Sequence, residues 1–209
     1  MSEHDNTIYV VSGLPRSGTS MMMKMLEAGG LSALTDNIRT ADDDNLQGYY
    51  EFERVKAMKD GDTAWVGEAQ GKVIKVISAL LESLPAGYHY KVIFMEREMV
   101  EILASQRKML ERRGKPGNPA EDGKFADLYG KHLEKVKAWL ARQENMKVLY
   151  VRYNEMLKEP AATAVTPESP GMRAGVERVI GPLPVPSAPT TLAPHDHTVP
   201  SFRSAYEEA

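Results

Sequence analysis

A strand, a glycine-containing loop and a helix follow one another near the N-terminus. The sequence from Ile8 reads IYVVSGLPRSGTSMMMKML. Residues 7–12 are largely apolar and β-branched, a composition typical of a strand buried on both faces of a parallel sheet. Residues 19–27 favour a helix, which the glycines at 29 and 30 should end. This order of elements predicts an α/β fold.

Further strands and helices alternate along the chain. The apolar patterns predict strands at 71–77, 90–97 and 146–153, and helices at 99–113 and 125–143. Strands separated by helices usually form parallel sheets through right-handed crossovers, with helices on both faces. We therefore predict a three-layer α/β/α fold with a central parallel sheet. The polar residues 35–53 should form a loop over the sheet edge.

The composition changes after about residue 160. The last part of the chain is rich in Pro, Ala, Ser and Thr, with a short helix predicted at 172–180. We expect one α/β domain over 1–160. Residues 161–209 should form a C-terminal segment that packs on the domain or attaches to it loosely.

Composition excludes several classes of function. The formal net charge is -3, which gives no support to a nucleic-acid or anionic-membrane role. No apolar run is long enough for a membrane span, and residues 1–7 lack the pattern of a secretory signal. The chain has no cysteine, so disulfides and thiolate metal sites are excluded. No cluster of histidines and carboxylates indicates a metal site. These features are compatible with a cytoplasmic protein.

The loop itself indicates phosphate binding. Gly13 and Gly18 allow a tight turn whose backbone N–H groups converge on an anion, and the following helix adds its N-terminal dipole. The hydroxyls of Thr19 and Ser20 add donors. Loops that bind nucleoside triphosphates carry a lysine after the second glycine, but here that position is Thr19. A cation is present instead at Arg16. We therefore predict a P-loop nucleotide-binding fold that binds a single 5′-phosphate.

The stretch GLPRSGTS resembles the 5′-phosphosulfate loop of sulfotransferases that use 3′-phosphoadenosine 5′-phosphosulfate (PAPS). It is most similar to the Pro-Arg-Ser-Gly-Thr-Thr version of tyrosylprotein sulfotransferases and bacterial sulfotransferase-like proteins. The resemblance extends over residues 8–157. It implies that the loop binds the 5′-phosphate and the departing sulfuryl group of PAPS through five residues, Arg16, Ser17, Gly18, Thr19 and Ser20.

Other parts of the chain match further signatures of this family. The family holds the 3′-phosphate with an arginine at a strand end and a serine eight residues later, and Arg97 and Ser105 have this spacing. Lys75 matches a lysine that stabilises the bridging oxygen. Tyr153 matches a tyrosine near the adenine. A late basic segment covers the 3′-phosphate in many members, and the candidates here are Arg173, Arg178 and Arg203. Because only these three arginines remain, the segment over the 3′-phosphate should be reduced here or supplied by another subunit. A homodimer is therefore compatible with the resemblance.

The expected reaction is sulfuryl transfer from PAPS to a hydroxyl or amine acceptor, with release of 3′,5′-ADP and without a metal. Arg16 and Lys75 should stabilise the charge on the leaving oxygen. The acceptor also needs a general base. Where the cytosolic branch has a catalytic histidine, this chain has Ile77. Asp36 and Glu51 are the two leading candidates for this base, and Glu53 is a third, weaker candidate.

Two other functions stay open from the sequence. One is a small-metabolite P-loop kinase, and the other is a nucleotide-binding relic of the sulfotransferase fold that has lost catalysis. The acceptor is also undetermined, because acceptor pockets form from variable loops. A small molecule such as a phenol, a carbohydrate, a lipid or a peptide tyrosine would each be compatible.

Overall fold

Four strands form one parallel sheet. In this computed structural model, the described residues are 6–36, 50, 52–115 and 117–158. The strands are β1 (Thr7–Gly13), β2 (Val73–Lys75), β3 (His89–Glu96) and β4 (Met146–Arg152), and their order in the sheet is β2-β1-β3-β4. Every described strand pair is parallel. The predicted α/β class and central parallel sheet are thus confirmed.

The glycine loop, residues 13–20, follows a central strand of this sheet. Val10 in β1 pairs with Ile74 on one side and with Val92 on the other. Because all four strands are parallel, their carboxyl ends lie at the same edge of the sheet, and ligands of open α/β sheets bind at that edge. The sheet thus brings the residues that follow β2, β3 and β4 close to the loop.

Helices flank the sheet. The α-helices are α1 (Thr19–Ala28), α2 (Met99–Arg112), α3 (Asp122–Leu140) and α4 (Tyr153–Lys158). Short 3₁₀ helices cover Glu53–Asp60, Ala64–Ala69, Ser78–Ser83 and Pro119–Glu121. No helix in the described ranges has the length and apolarity that a membrane span requires.

The core lies on both faces of the sheet. Tyr9 and Val11 of β1 pack with Met23 of α1 in one apolar cluster. Ile8 and Val10 point to the opposite face, where they pack with the buried Trp65 and other apolar side chains. This two-sided burial explains the nearly continuous apolar sequence of β1, because neither face of the strand meets water.

Several predicted boundaries differ from the structure. The strand predicted at 71–77 is shorter, because Ile77 leads into the 3₁₀ helix Ser78–Ser83. The strand predicted at 146–153 ends at Arg152, and Tyr153 begins α4. The predicted loop 35–53 ends where a 3₁₀ helix begins at Glu53. The helix predicted at 172–180, the C-terminal segment and the late arginines lie outside the described residues.

Candidate functional site

The glycine loop has a backbone that requires its two glycines. Gly13 has φ 141° and Gly18 has φ 99°, values that side-chain-bearing residues rarely adopt. A Cβ on Gly18 would lie 2.5 Å from Cδ2 of Tyr153, and a Cβ on Gly13 would lie 2.6 Å from the carbonyl oxygen of Met95. The loop therefore packs tightly against the ends of β3 and β4.

Three of the predicted site residues meet beside this loop. The Nε of Arg16 donates a hydrogen bond to the Oγ of Ser105 at 3.0 Å. A guanidinium nitrogen of Arg97 donates to the carbonyl oxygen of Arg16, also at 3.0 Å. The first contact joins residues 89 positions apart in the sequence, and the second joins residues 81 positions apart. The strand order explains them, because β3 is adjacent to β1 and α2 begins just beyond the end of β3.

Other groups hold the guanidinium of Arg97 in place. Its Nε donates to the carboxylate of Glu101 at 2.8 Å, and Asn154 donates to the other oxygen of that carboxylate at 2.8 Å. The guanidinium also lies 4.3 Å from the centre of the Tyr153 ring, in cation–π geometry. The hydrogen bonds from Arg97 and then from Asn154 lower the pKa of Glu101. Arg97 thus connects the loop to α2 and α4.

Lys75 approaches the loop from the opposite side. Its Nζ donates a hydrogen bond to the Oγ of Ser20 at 3.3 Å. Lys75 ends β2, whereas Arg97 follows β3, and these two strands flank β1. Cationic side chains from both neighbouring strands therefore reach residues of the loop. Such an arrangement can stabilise an anion bound at the start of α1.

The hydroxyls of the loop differ in their surroundings. Ser17 is 1% exposed and its Oγ has no hydrogen-bond partner among the described residues. Thr19 is buried as the first residue of α1. Gly18 precedes this helix as its N-cap and supplies no side-chain capping bond. The N-terminal turn of α1 therefore lacks a side-chain cap, and an anion could take that role.

Of the two leading candidate bases, Asp36 lies within the described residues. Asp36 follows a short parallel bridge between Ala33 and Val73, and this places it at the carboxyl side of β2. One of its carboxylate oxygens accepts a hydrogen bond from the backbone N–H of Glu53 at 2.6 Å. Asp36 therefore contacts the start of the 3₁₀ helix at Glu53, and its role as a base stays a prediction. Glu51 lies outside the described residues.

Tyr153 packs against the glycine loop and against Arg97. Its ring covers Gly18 and faces Arg97. The prediction placed this residue at the end of a strand, but it begins α4 and closes one side of the loop. A role near an adenine stays a prediction, because the contacts of the ring are with the loop and Arg97.

Two site residues were missed by sequence reasoning. Glu101 lies four residues after Arg97 and four before Ser105. Glu101 and Ser105 therefore share one face of α2, and Arg97 lies just before the helix begins on the same side. That spacing was a readable signal. Asn154 carried no such signal, because its contact with Glu101 spans 53 positions. Within the described residues, no group of three or more histidines and carboxylates is placed to hold a metal ion.

Comparison with known proteins gives no match from which a function could be assigned. No protein-family model matches the chain, and none of the curated proteins matches it. The loop and its contacts with Ser105, Arg97 and Lys75 therefore carry the functional argument.

Proposed function

We propose that this protein is a PAPS-dependent sulfotransferase built on a P-loop α/β fold. It would transfer a sulfuryl group to a hydroxyl or amine acceptor and release 3′,5′-ADP. The proposal rests on the resemblance of the loop and of the Arg97–Ser105 pair to the family signatures, together with the contacts between these two motifs.

The observation that carries the proposal is the network of Arg16, Ser105 and Arg97. The strand order brings the end of β3 and the start of α2 beside the loop, and Arg97 and Ser105 are the two residues there that match the family signature. Here both hydrogen-bond to the same loop residue. This convergence supports a site in which the loop takes the 5′-phosphate, while Arg97 and Ser105 take the 3′-phosphate.

The hydrogen bond between Arg16 and Ser105 is compatible with such binding. Its acceptor is a neutral hydroxyl, and hydrogen bonds to ionised oxygens are roughly twice as strong as neutral ones. An anionic phosphate or sulfuryl oxygen can therefore compete for the Arg16 guanidinium. Ser105 would then donate its own hydroxyl proton to the 3′-phosphate.

The three cations divide between two tasks in the proposed reaction. Arg16 and Lys75 would stabilise the negative charge that grows on the leaving 5′-phosphate oxygen as the sulfur–oxygen bond breaks. Arg97, held by Glu101 and Tyr153, would orient the nucleotide. The loop N–H groups would hold the 5′-phosphate at the start of α1.

Calorimetric titration with 3′,5′-ADP, 5′-AMP and ATP-Mg²⁺ tests the proposal. We expect clear preference for 3′,5′-ADP, and its loss in Arg97→Ala. Arg54→Ala is the matched control, because Arg54 also pairs with a carboxylate, that of Asp62, away from the loop. This variant should bind like the wild type. Better binding of ATP-Mg²⁺, or no binding of any nucleotide, would contradict a sulfotransferase.

A second measurement separates an enzyme from a binding-only relic. The purified protein is incubated with PAPS and a panel of phenols and sugars, and the release of 3′,5′-ADP is followed. Turnover with any acceptor supports the enzyme. Tight 3′,5′-ADP binding without turnover across the panel would favour the relic.

A further inference from the structure

Methionines are concentrated in the helix that follows the glycine loop. Met21, Met22, Met23 and Met25 all lie within α1. Leucine has a similar helix propensity and packs in better-defined rotamers, so burial alone does not require four thioethers here. The chain has 12 methionines and no cysteine, so thioethers are its only sulfur groups. The characteristic chemistry of a thioether in a protein is oxidation to a sulfoxide.

The four methionines of α1 differ in burial. Met22 and Met23 are 4% and 0% exposed, within the apolar cluster on the α1 face of the sheet. Met21 and Met25 are only partly buried, and they pack against the same cluster. Because they are four residues apart, their side chains share one face of the helix. We call Met21 and Met25 the rim pair.

The rim pair lies beside residues that contact the glycine loop. Ser20, which precedes Met21, accepts a hydrogen bond from Nζ of Lys75 at 3.3 Å. Tyr153, which covers Gly18, is partly buried against the same apolar cluster as the rim pair. The packing of α1 on this cluster therefore fixes the first turn of the helix and the end of the loop. A polar group introduced at the rim pair should weaken that packing.

Oxidation by a peroxide introduces such a group. The thioether sulfur takes one oxygen atom from the peroxide, so an S–O bond forms and the O–O bond breaks. The sulfur is oxidised by two electrons, and the peroxide is reduced by two electrons to water or an alcohol. The product is polar where methionine was apolar, and methionine sulfoxide reductases reverse the change.

We propose that Met21 and Met25 are an oxidation site through which peroxides loosen the glycine loop. Met22 and Met23 are protected, because a peroxide has to reach the sulfur before it reacts. Sulfoxides on the rim pair weaken the packing of α1, so the loop and the first turn of the helix open more often. Since the sulfoxides can be reduced, the site gives reversible control of ligand binding at the loop. The inference concerns the loop itself and does not require PAPS as its ligand.

Peptide mass spectrometry after brief treatment with hydrogen peroxide tests the site. Trypsin cleaves after Arg16 and Lys24, so the peptide 17–24 carries three of the methionines and the next peptide begins with Met25. Fragment ions then separate position 21 from positions 22 and 23. We expect one added oxygen at each residue of the rim pair before any at Met22 or Met23. Equal oxidation rates at all four positions would overturn the site.

Amide hydrogen exchange measures the effect on the loop without any ligand. In the oxidised protein, exchange over residues 13–25 should rise by about 5-fold or more, while exchange in β3 and α3 should stay as in the untreated protein. Treatment with methionine sulfoxide reductases should restore the original rates. Unchanged exchange over 13–25, or an equal rise in every element, would overturn the loosening of the loop.

Leucine variants connect the effect to the rim pair. Met21→Leu with Met25→Leu should fold normally, because the swap nearly conserves volume, and peroxide should no longer raise exchange over 13–25. Met109→Leu is the matched control, because Met109 is also partly buried in a helix but lies near the end of α2. It should respond like the wild type. If the double variant does not fold, the two single variants replace it, and each should lose part of the response. A full response in the leucine variants would contradict the proposal.

Nucleotide binding separates this inference from the proposed function. If the wild type binds 3′,5′-ADP, oxidation of the rim pair should weaken that binding by about 5-fold or more. Unchanged affinity after complete oxidation of both residues would overturn the control of the loop. If the wild type does not bind 3′,5′-ADP, the sulfotransferase proposal has failed, and the mass spectra and exchange rates still decide the oxidation site.

Discussion

Arg97 donates a hydrogen bond to the backbone carbonyl of Arg16 at 3.0 Å, across 81 positions of sequence. This contact ties the end of β3 to the middle of the glycine loop, where Arg16 itself has a positive φ of 73°. Non-glycine residues in that region cost about 1–3 kcal/mol and persist only where surrounding contacts hold them. Arg97 and Ser105 supply two such contacts, so the loop conformation depends on residues far from it in sequence.

Gly18→Ala should be strongly destabilising. Its Cβ would lie 2.5 Å from the Tyr153 ring and the residue would keep φ 99°. Gly61→Ala is the matched control, since Gly61 has φ 93° but nothing within 4 Å of a new Cβ. We expect about 1–2 kcal/mol lost in the control, from the positive φ alone. Gly18→Ala should lose about 3 kcal/mol or more, measured by urea unfolding. Equal losses in the two variants would contradict close packing of Tyr153 on the loop.

The pKa of Glu101 should lie below the ordinary glutamate value of 4.5, because Arg97 and then Asn154 donate to its carboxylate. Its ionised form is thus favoured in the folded state. The resulting stability is present above pH 4.5 and is lost as the pH falls through the lowered folded pKa. NMR titration of the Glu101 side chain checks this. Arg97→Met should raise the pKa more than Asn154→Ala, and an unchanged pKa in both would contradict the network.

Lys75→Met should lower turnover more than it lowers 3′,5′-ADP affinity. In the proposed reaction Lys75 acts on charge that develops in the transition state, and removal of one such group typically costs about 10²–10³ in kcat. Lys72→Met is the matched control, because Lys72 lies just before the amino end of β2, away from the loop. Steady-state kinetics with PAPS make the comparison. A loss of affinity alone would place Lys75 in nucleotide binding instead.

His132 should make stability fall on mild acidification. Burial, and then the charge of Lys135, lower its pKa below 6.5, while Glu82 opposes this shift. Nε2 of His132 shares a hydrogen bond of 2.9 Å with the buried Ser78. Below pH 6.5 the unfolded chain binds the proton more readily than the folded chain, so stability falls until the folded pKa is reached.

Thermal unfolding between neutral and mildly acidic pH measures this effect. The midpoint should fall with pH in the wild type and much less in His132→Gln. His89→Gln is the control, because His89 is exposed at the start of β3, and it should retain the wild-type slope. The same slope in all three proteins would contradict a lowered pKa at His132.

Local sequence predicted the regular elements because their signals are short-range. Apolar continuity identified β1 and β3, and helical periodicity identified α1 and α2 to within a residue or two of their bounds. The end of β4 was harder to predict. Tyr153 has high β-propensity, but its packing on Gly18 and Arg97 occurs at the start of α4, and this tertiary contact outweighs the preference.

The sequence by itself determined the α/β class, the parallel sheet and the glycine loop with its missing lysine. It also predicted Arg16, Lys75, Arg97 and Ser105 as site residues, because their motifs resemble the family signatures. Only the tertiary structure decided which of these residues touch, how Glu101 and Asn154 hold Arg97, and which methionines of α1 are buried. The physical reason is the strand order β2-β1-β3-β4: residues many positions apart meet at one sheet edge only after the strands have paired.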